Sequence, residues 1–417
     1  MVVGLAVFVV TYLLVIARRL RWLPIGRPAG ALVGAVLAVA TGAIGPEQAY
    51  RSIDHATIAL LFGMMVIGVH LERGGAFRRV AAILGARPRS PKALLCVVAV
   101  ASGIASAILV NDAVCLIGTP VVLAVSRARR LAPLPFLIAL ATGSNVGGVM
   151  TLTGTPQCMI VGRLGSIGYR AYAASMVPVG LVGLLILCAV LLATHRGPLL
   201  ERPAGGATEP LAAEERALLL PSLAAVAFVT AGFLLRFDLA WTALAGAALV
   251  LVLVRRDAGD VLARVDWSVL VFFAGLFVVV GALRTAGVMD AAFGLVRPWL
   301  RGDAAAVAPF AVASVFGSNL LSNVPYVLLV APWIDHLAES RLMWLTLAMA
   351  STFAGNLTLL GSVANVIVAE GARDEGGIGF LAYLRVGFPT TILTTLAGSA
   401  ILIAFEAAGW VRWTAAW

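Results

Sequence analysis

Asp112 is a carboxylate set deep in an apolar run, with Asn111 directly before it. A carboxylate at the centre of a lipid-spanning segment costs roughly 2.5–3.5 kcal/mol even on lenient scales. A chain that needed only a turn there would use Asn or Gly, so Asp112 points to a proton or Na+ site. The plainer alternative is a helix N-cap, since Asp112 opens the second half of its segment. Asn111 has a counterpart at an offset of 212, Asn323. Side-chain amides hold a cation through oxygen or donate to an anion through nitrogen, which makes Asn111, Asp112 and Asn323 a candidate Na+ site. Ser318, Asn319 and Ser322 add polar atoms beside Asn323. Tip capping without ligand contact is the bland reading of the same residues.

Two further polar clusters interrupt otherwise apolar stretches. One contains Ser144 and Asn145, then Thr153, Gly154, Thr155 and Gln157 around Pro156; the other contains Asn356, Thr358, Gly361, Ser362 and Asn365. Glycine and proline in mid-span open the backbone ladder and free carbonyls and amides. A half-helix that starts after Thr155 or Ser362 aims its positive end at whatever lies between the clusters, while carbonyls of the preceding half can hold a cation. A close-packed glycine seam would explain the glycines but not the Ser, Thr and Asn among them.

These residues recur in one order along the chain. At the offset of 212, Asp54–Phe77 falls on Asp266–Met289 with Gly63 on Gly275, and Pro120 falls on Pro332. Gly154–Val161 (GTPQCMIV) matches Gly361–Val368 (GSVANVIV) at an offset of 207, and Pro178 matches Pro389. A duplicated apolar chain with Asn, Gly and Pro at matching breaks has the pattern of a carrier with its site between repeats. The expected fold is an all-α polytopic membrane protein: two inverted repeats, about ten transmembrane helices, two re-entrant hairpins and two broken helices. The first repeat covers residues 1–196, with its hairpin at 93–126 and its broken helix at 135–162. Residues 197–216 form a cytoplasmic linker, and the second repeat covers 217–417, with its hairpin at 304–336 and its broken helix at 343–369. The remaining spans are expected near 2–17, 29–45, 55–71, 172–194, 217–235, 239–254, 267–283 and 386–408. Ala76–Ala86 and Asp290–Leu300 read as amphipathic helices in the interface.

Composition agrees with solvation by lipid. Of 417 residues, 61% are hydrophobic and 12% charged, against about a quarter charged in soluble domains. The net charge of +10 is spread over short loops rather than gathered in a patch, so nucleic acid is not an expected partner. With the Arg18–Arg27 loop inside, cytoplasmic segments hold 21 of the 30 Lys and Arg. The positive-inside rule then puts the N-terminus outside in a multi-pass plasma (inner cell) membrane protein. Basic residues flank both ends of 93–126 on one side, which two half-length helices satisfy and a single crossing does not. The first apolar stretch runs into Arg18, Arg19 and Arg21 without a cleavage pattern, which argues against a signal peptide. Cys96, Cys115, Cys158 and Cys188 lack CxxC spacing and read as small buried hydrophobes. His55 and His70, at opposite ends of one span, read as interfacial. No HExxH, GxSxG or P-loop occurs, so hydrolysis and ATP coupling find no support, and neither an enzyme nor a cofactor is expected.

The order of hairpin, GTP-type break, hairpin and GS-type break resembles the ion-transporter superfamily. That group holds arsenite permeases, related sodium/proton antiporters, and divalent anion/sodium symporters with their citrate-transporter-like domain. The likeness rests on Val110-Asn111-Asp112, Leu152-Thr153-Gly154-Thr155-Pro156-Gln157, Ser322-Asn323-Val324-Pro325 and Gly355 through Ser362. It implies two re-entrant hairpins and two unwound helices that enclose substrate and coupling ions and move elevator-like against a scaffold. Dicarboxylate symporters carry Ser-Asn-Thr at both tips; the tips here look closer to the arsenite permease and antiporter branch. Cys158 stands where its repeat mate is Asn365 and the family often has Asn. The resemblance implies a secondary active carrier of a small inorganic anion or oxyacid such as arsenite, coupled to H+ or Na+. A Na+/H+ antiporter and a di/tricarboxylate or sulfate symporter are the alternatives within the family, and an ion channel the alternative outside it. A homodimer is expected, with an ATPase subunit as partner if the chain is of the arsenite type.

Overall fold

Helices begin where the capping chemistry lies. Asp54 accepts from the Thr57 amide at 2.9 Å and opens His55–Arg73. Its repeat mate Asp266 accepts from the Ser268 and Val269 amides, at 3.1 and 3.3 Å, and opens Trp267–Thr285. Proline fills the first turn of Pro91–Ile108, Pro133–Gly148 and Pro156–Leu164, where its missing N–H costs nothing. The computed structural model describes residues 2–16, 26–76, 79, 90–195, 213–254, 258–288, 291, 304–334, 337, 340–373 and 376–411. Among them no β-strand forms; seven helices are long and apolar enough to cross a membrane, and five shorter apolar helices accompany them. The chain is an all-α polytopic membrane protein.

The helix pairings recur with the two halves exchanged. Arg27–Ala40 packs on Trp267–Thr285, and the corresponding helices of the opposite halves, Leu239–Val254 and His55–Arg73, pack in the same way. The matched glycines lie at these two seams. A Cβ on Gly63 would meet the Ala243 carbonyl carbon at 2.6 Å, and one on Gly275 would meet that of Ala31 at 2.8 Å. The pairing of Gly63 and Gly275 therefore reflects close helix approach across the halves. The terminal helices Tyr169–Thr194 and Phe380–Ala407 pack on each other.

At the centre stand the interrupted helices. Pro133–Gly148 is buried from Pro135 onward, and Ser340–Ala354 from Leu342 onward. The first continues after a break as Pro156–Leu164, the second as Val363–Gly371. Hairpin arms Pro91–Ile108 and Asn111–Arg129 flank the first, and Val307–Leu321 and Asn323–Ile334 flank the second.

Several expectations need adjusting. The arms of the first hairpin are 18 and 19 residues, longer than half-length helices, and each could cross a membrane on length alone. Its turn is Leu109–Val110, so Asn111 is the first helical residue and Val110 the N-cap. Asp112 therefore sits within the first turn and does not cap its own helix. His70 is buried and its Nδ1 lies 2.9 Å from the Val66 carbonyl oxygen, so it packs against protein rather than at an interface. Most of the expected interfacial helices Ala76–Ala86 and Asp290–Leu300 and of the linker 197–216 lies outside the described residues.

Candidate functional site

Asn145 is the hub of the site. Placed three residues before the end of its half-helix and almost fully buried, it uses all of its amide. Its Nδ2 donates to Asn356 Oδ1 and to Asn365 Oδ1, each at 2.9 Å. Its Oδ1 accepts from Asn111 Nδ2 at 3.0 Å and from the Ser362 hydroxyl at 3.1 Å. One side chain thereby joins a hairpin tip, both broken helices and the start of a half-helix. Asn356 donates onward to the Thr142 carbonyl at 3.2 Å, and Asn365 to those of Gly355 and Thr358 at 2.7 and 3.2 Å.

The two tip asparagines bind matching glycine carbonyls. The Asn111 backbone N–H donates to Gly154 O at 3.0 Å. The Asn323 amide, with its nitrogen turned inward, donates to the Ser318 hydroxyl at 2.9 Å and to the Ser351 and Gly361 carbonyls, both at 3.3 Å. That orientation is the one the surrounding donors and acceptors satisfy. Ser322 holds the second tip at φ 71°, a left-handed turn. Asn319 donates to the Val315 and Ala354 carbonyls at 3.1 and 2.7 Å and accepts from Thr358 at 3.3 Å.

Asp112 and its repeat mate Val324 break the symmetry. Half-buried in the first turn of its helix, Asp112 presents its carboxylate to the backbone amide of Ala364, in the first turn of Val363–Gly371. Ser362, the N-cap of that half-helix, makes no side-chain cap, because its hydroxyl is committed to Asn145. A negative group at this end is favoured by the helix dipole. The other half-helix is capped locally, Thr155 accepting from the Cys158 amide at 3.3 Å.

The remaining expected residues line the same region. Gln157 donates to Thr352 at 3.2 Å, and Thr153 faces the Ala107 carbonyl at 3.5 Å. Ser144 lies 3.0 Å from Cys115 Sγ and donates to Ala141 O at 2.9 Å. Asn111 and Asp112 stand together in the first turn of their helix, whereas Asn323 meets its surroundings as a donor and bonds within its own half. Part of the first glycine cluster is a packing seam: Cβ atoms on Gly143 and Gly147 would meet Ala99 O at 2.4 Å and Gly103 Cα at 2.2 Å.

Some participants were not singled out from sequence. Ser106, 212 residues before Ser318, donates to Gly154 O at 3.4 Å, and the repeat offset could have pointed to it. Thr352 touches both Gln157 and Cys158 Sγ; no motif marked it. Tyr172 and Tyr383 are mates at an offset of 211 and fully buried, with hydroxyls lacking a hydrogen-bond partner. The same holds for Asn111 Oδ1. A buried acceptor left without a donor costs about 1–3 kcal/mol, so this oxygen marks where a ligand would be stabilised.

Comparison with known proteins places this geometry. A silicon efflux transporter of Oryza sativa subsp. japonica is 32% identical, over 95% of this chain and 96% of its own length. A putative transporter, arsB, of Dictyostelium discoideum is 25% identical over 95% of the chain and 91% of its length. Among solved structures, the Alcanivorax borkumensis YdaH transporter covers 91% of the chain and 88% of its own, with a TM-score of 0.56 at 16% identity. Neisseria gonorrhoeae MtrF covers 96% and 94%, with a TM-score of 0.53 at 12% identity; at such identities the likeness is one of fold. The sequence model of the citrate transporter family matches residues 12–354. The chain is a membrane transporter, not an enzyme, and belongs to the citrate transporter family.

Proposed function

We propose that this chain is a secondary active transporter of a small inorganic anion or oxyacid, coupled to H+ or Na+. The observation that carries the reading is the amide relay from Asn111 through Asn145 to Asn356 and Asn365, ending in the unpartnered Asn111 Oδ1. That oxygen can accept from a ligand hydroxyl or coordinate Na+ beside Asp112. Donors for substrate oxygens come from those amides of the opening turns of Pro156–Leu164 and Val363–Gly371 that Thr155 and Asp112 do not already take. Relatives bearing the names silicon efflux transporter and arsB support an oxyacid. In this reading residues 1–196 and 217–417 are inverted repeats joined by a cytoplasmic linker. The hairpins and broken helices move as one elevator-like unit against the cross-paired helices.

Proteoliposome flux tests it. Arsenite, silicic acid, sulfate, citrate and Na+ are offered in turn under an imposed pH or Na+ gradient. Gradient-driven flux of one anion or oxyacid is expected. Na+ flux alone, exchanged for protons, would replace this reading with the antiporter.

A further inference from the structure

Outside the amide network the structure has two adjoining cavities, of about 420 and 680 Å³, both bordered by Arg163. Arg170, Arg236 and Arg341 line the smaller one, and Arg51 and Arg284 the larger. On the orientation implied by the charge distribution, nine of the 30 Lys and Arg face outward. Six of these nine are the arginines just named, and the other three (Arg297, Arg301 and Arg412) lie outside the described residues. Basic residues are depleted from the outer face of membrane proteins, yet those described here come from six separate segments and converge on one place.

The acidic residues lining these cavities are Asp238 in the smaller and Asp54 in the larger. Both also cap helices, Asp238 accepting from the Trp241 amide and Asp54 from that of Thr57, each at 2.9 Å. His55 is the remaining titratable group of the larger cavity and Tyr169 of the smaller; Arg51 pairs with Glu47 alongside. The balance is cationic in both. Arg236 holds φ 67° at the end of its helix, a position that glycine fills at less cost. Tyr169, in the wall of the smaller cavity, reaches Thr151 and Thr153 at the first break. The cavity wall therefore touches the candidate site directly.

We propose that the two cavities form an anion-collecting vestibule that takes a multivalent oxyanion, a carboxylate or an oxoanion, and passes it to or from the break at Thr153. Guanidinium groups suit such ligands because their donors match paired oxygens, and a cleft of one sign concentrates counter-ions. The inference rests on the transporter reading above and deepens it: a neutral oxyacid gains nothing from six arginines, so the solute that uses this path carries charge. Anionic lipid headgroups share the chemistry, and the test separates the two sources.

Detergent-purified protein is titrated calorimetrically with citrate, sulfate and phosphate. The measurement is repeated at about 20 mM and about 500 mM salt, which changes the screening length several-fold. Saturable binding of at least one anion is expected, weakened roughly tenfold by Arg163→Gln and by Arg236→Gln and weakened again by salt. No binding of any of the three to the wild type would overturn the vestibule. So would wild-type affinity in both variants, or binding by the protein only to vesicles containing phosphatidylglycerol. These are binding readouts, so the vestibule and the transport reading fail separately: a wild type that binds citrate but moves no solute loses the latter alone.

Discussion

Asn145 donates to Asn365 at 2.9 Å, and the residues at the matching positions of the other half, Thr352 and Cys158, also meet, at 3.4 Å. The same Asn145 nitrogen also reaches Asn356 at 2.9 Å, and there the symmetry ends, because the match of Asn356 at the offset of 207 is the apolar Val149. The two halves therefore share one hub but surround it with different chemistry, amides on one side and a thiol with hydroxyls on the other.

Removing the hub tests how far the halves depend on it. Asn145→Ala leaves Asn356, Asn365, Asn111 and Ser362 short of a buried partner, at about 1–3 kcal/mol for each group not rescued by water. Thermal unfolding in detergent should fall by several degrees and flux should be lost. A variant as stable and active as the wild type would remove Asn145 from the site.

Asp112→Asn keeps an acceptor for the Ala364 amide but removes the charge. Gradient-driven flux should be lost while thermal unfolding stays within a few degrees of the wild type. If the variant retains the pH and Na+ dependence of the wild type, Asp112 is only a partner for the half-helix end.

Thr155 and Ser362 occupy matched positions but do different work, so their substitutions should separate. Thr155→Val removes a local cap, which costs about 0.5–2 kcal/mol of stability. Ser362→Val removes a buried bond to Asn145, worth about 1–3 kcal/mol, and by loosening the hub should weaken substrate affinity as well as stability. Paired measurements of unfolding temperature and substrate Kd would expose equal effects, which would contradict this division.

Gly154→Ala places a Cβ 2.1 Å from the Gly148 carbonyl oxygen, across the break itself. The break must open to admit it, so flux should drop sharply. Gly45→Ala meets only the end of the Gln48 side chain, at 3.8 Å, and should transport as the wild type does. Full activity of Gly154→Ala would mean that the closed break is not needed.

That both ends of the first hairpin lie on one side of the membrane is tested by labelling. Cysteines placed at Lys92 and Arg127, in a variant lacking the four native thiols, should both react with an impermeant reagent from the cytoplasm only. Reaction from opposite faces would mean that the hairpin crosses the membrane once.

Much of the architecture was legible along the chain, because its causes are local or periodic. Apolar runs, capping residues such as Asp54 and Asp266, and Gly or Pro in mid-span act within a turn or two of themselves. The second half then echoes these signals at offsets of 207 to 212, so Asn111 pointed to Asn323 and Ser318 could have pointed to Ser106. Basic loops add the threading, since transfer of charge across lipid is costly wherever it occurs. What only the tertiary structure decided is which equivalent groups meet. The offset makes Thr155 and Ser362 look alike, yet one caps its own helix and the other gives its hydroxyl to Asn145, leaving Ala364 to Asp112. The first arms proved longer than the charge pattern required, since packing on the buried half-helix 133–148 carries them past the length their flanks imply. Thr352, between Ser351 and Phe353 and outside every quoted motif, joined the site for the same reason. Partner choice in a buried polar network is settled by which groups can all be satisfied at once. That is a property of the folded arrangement, and no single segment of sequence contains it.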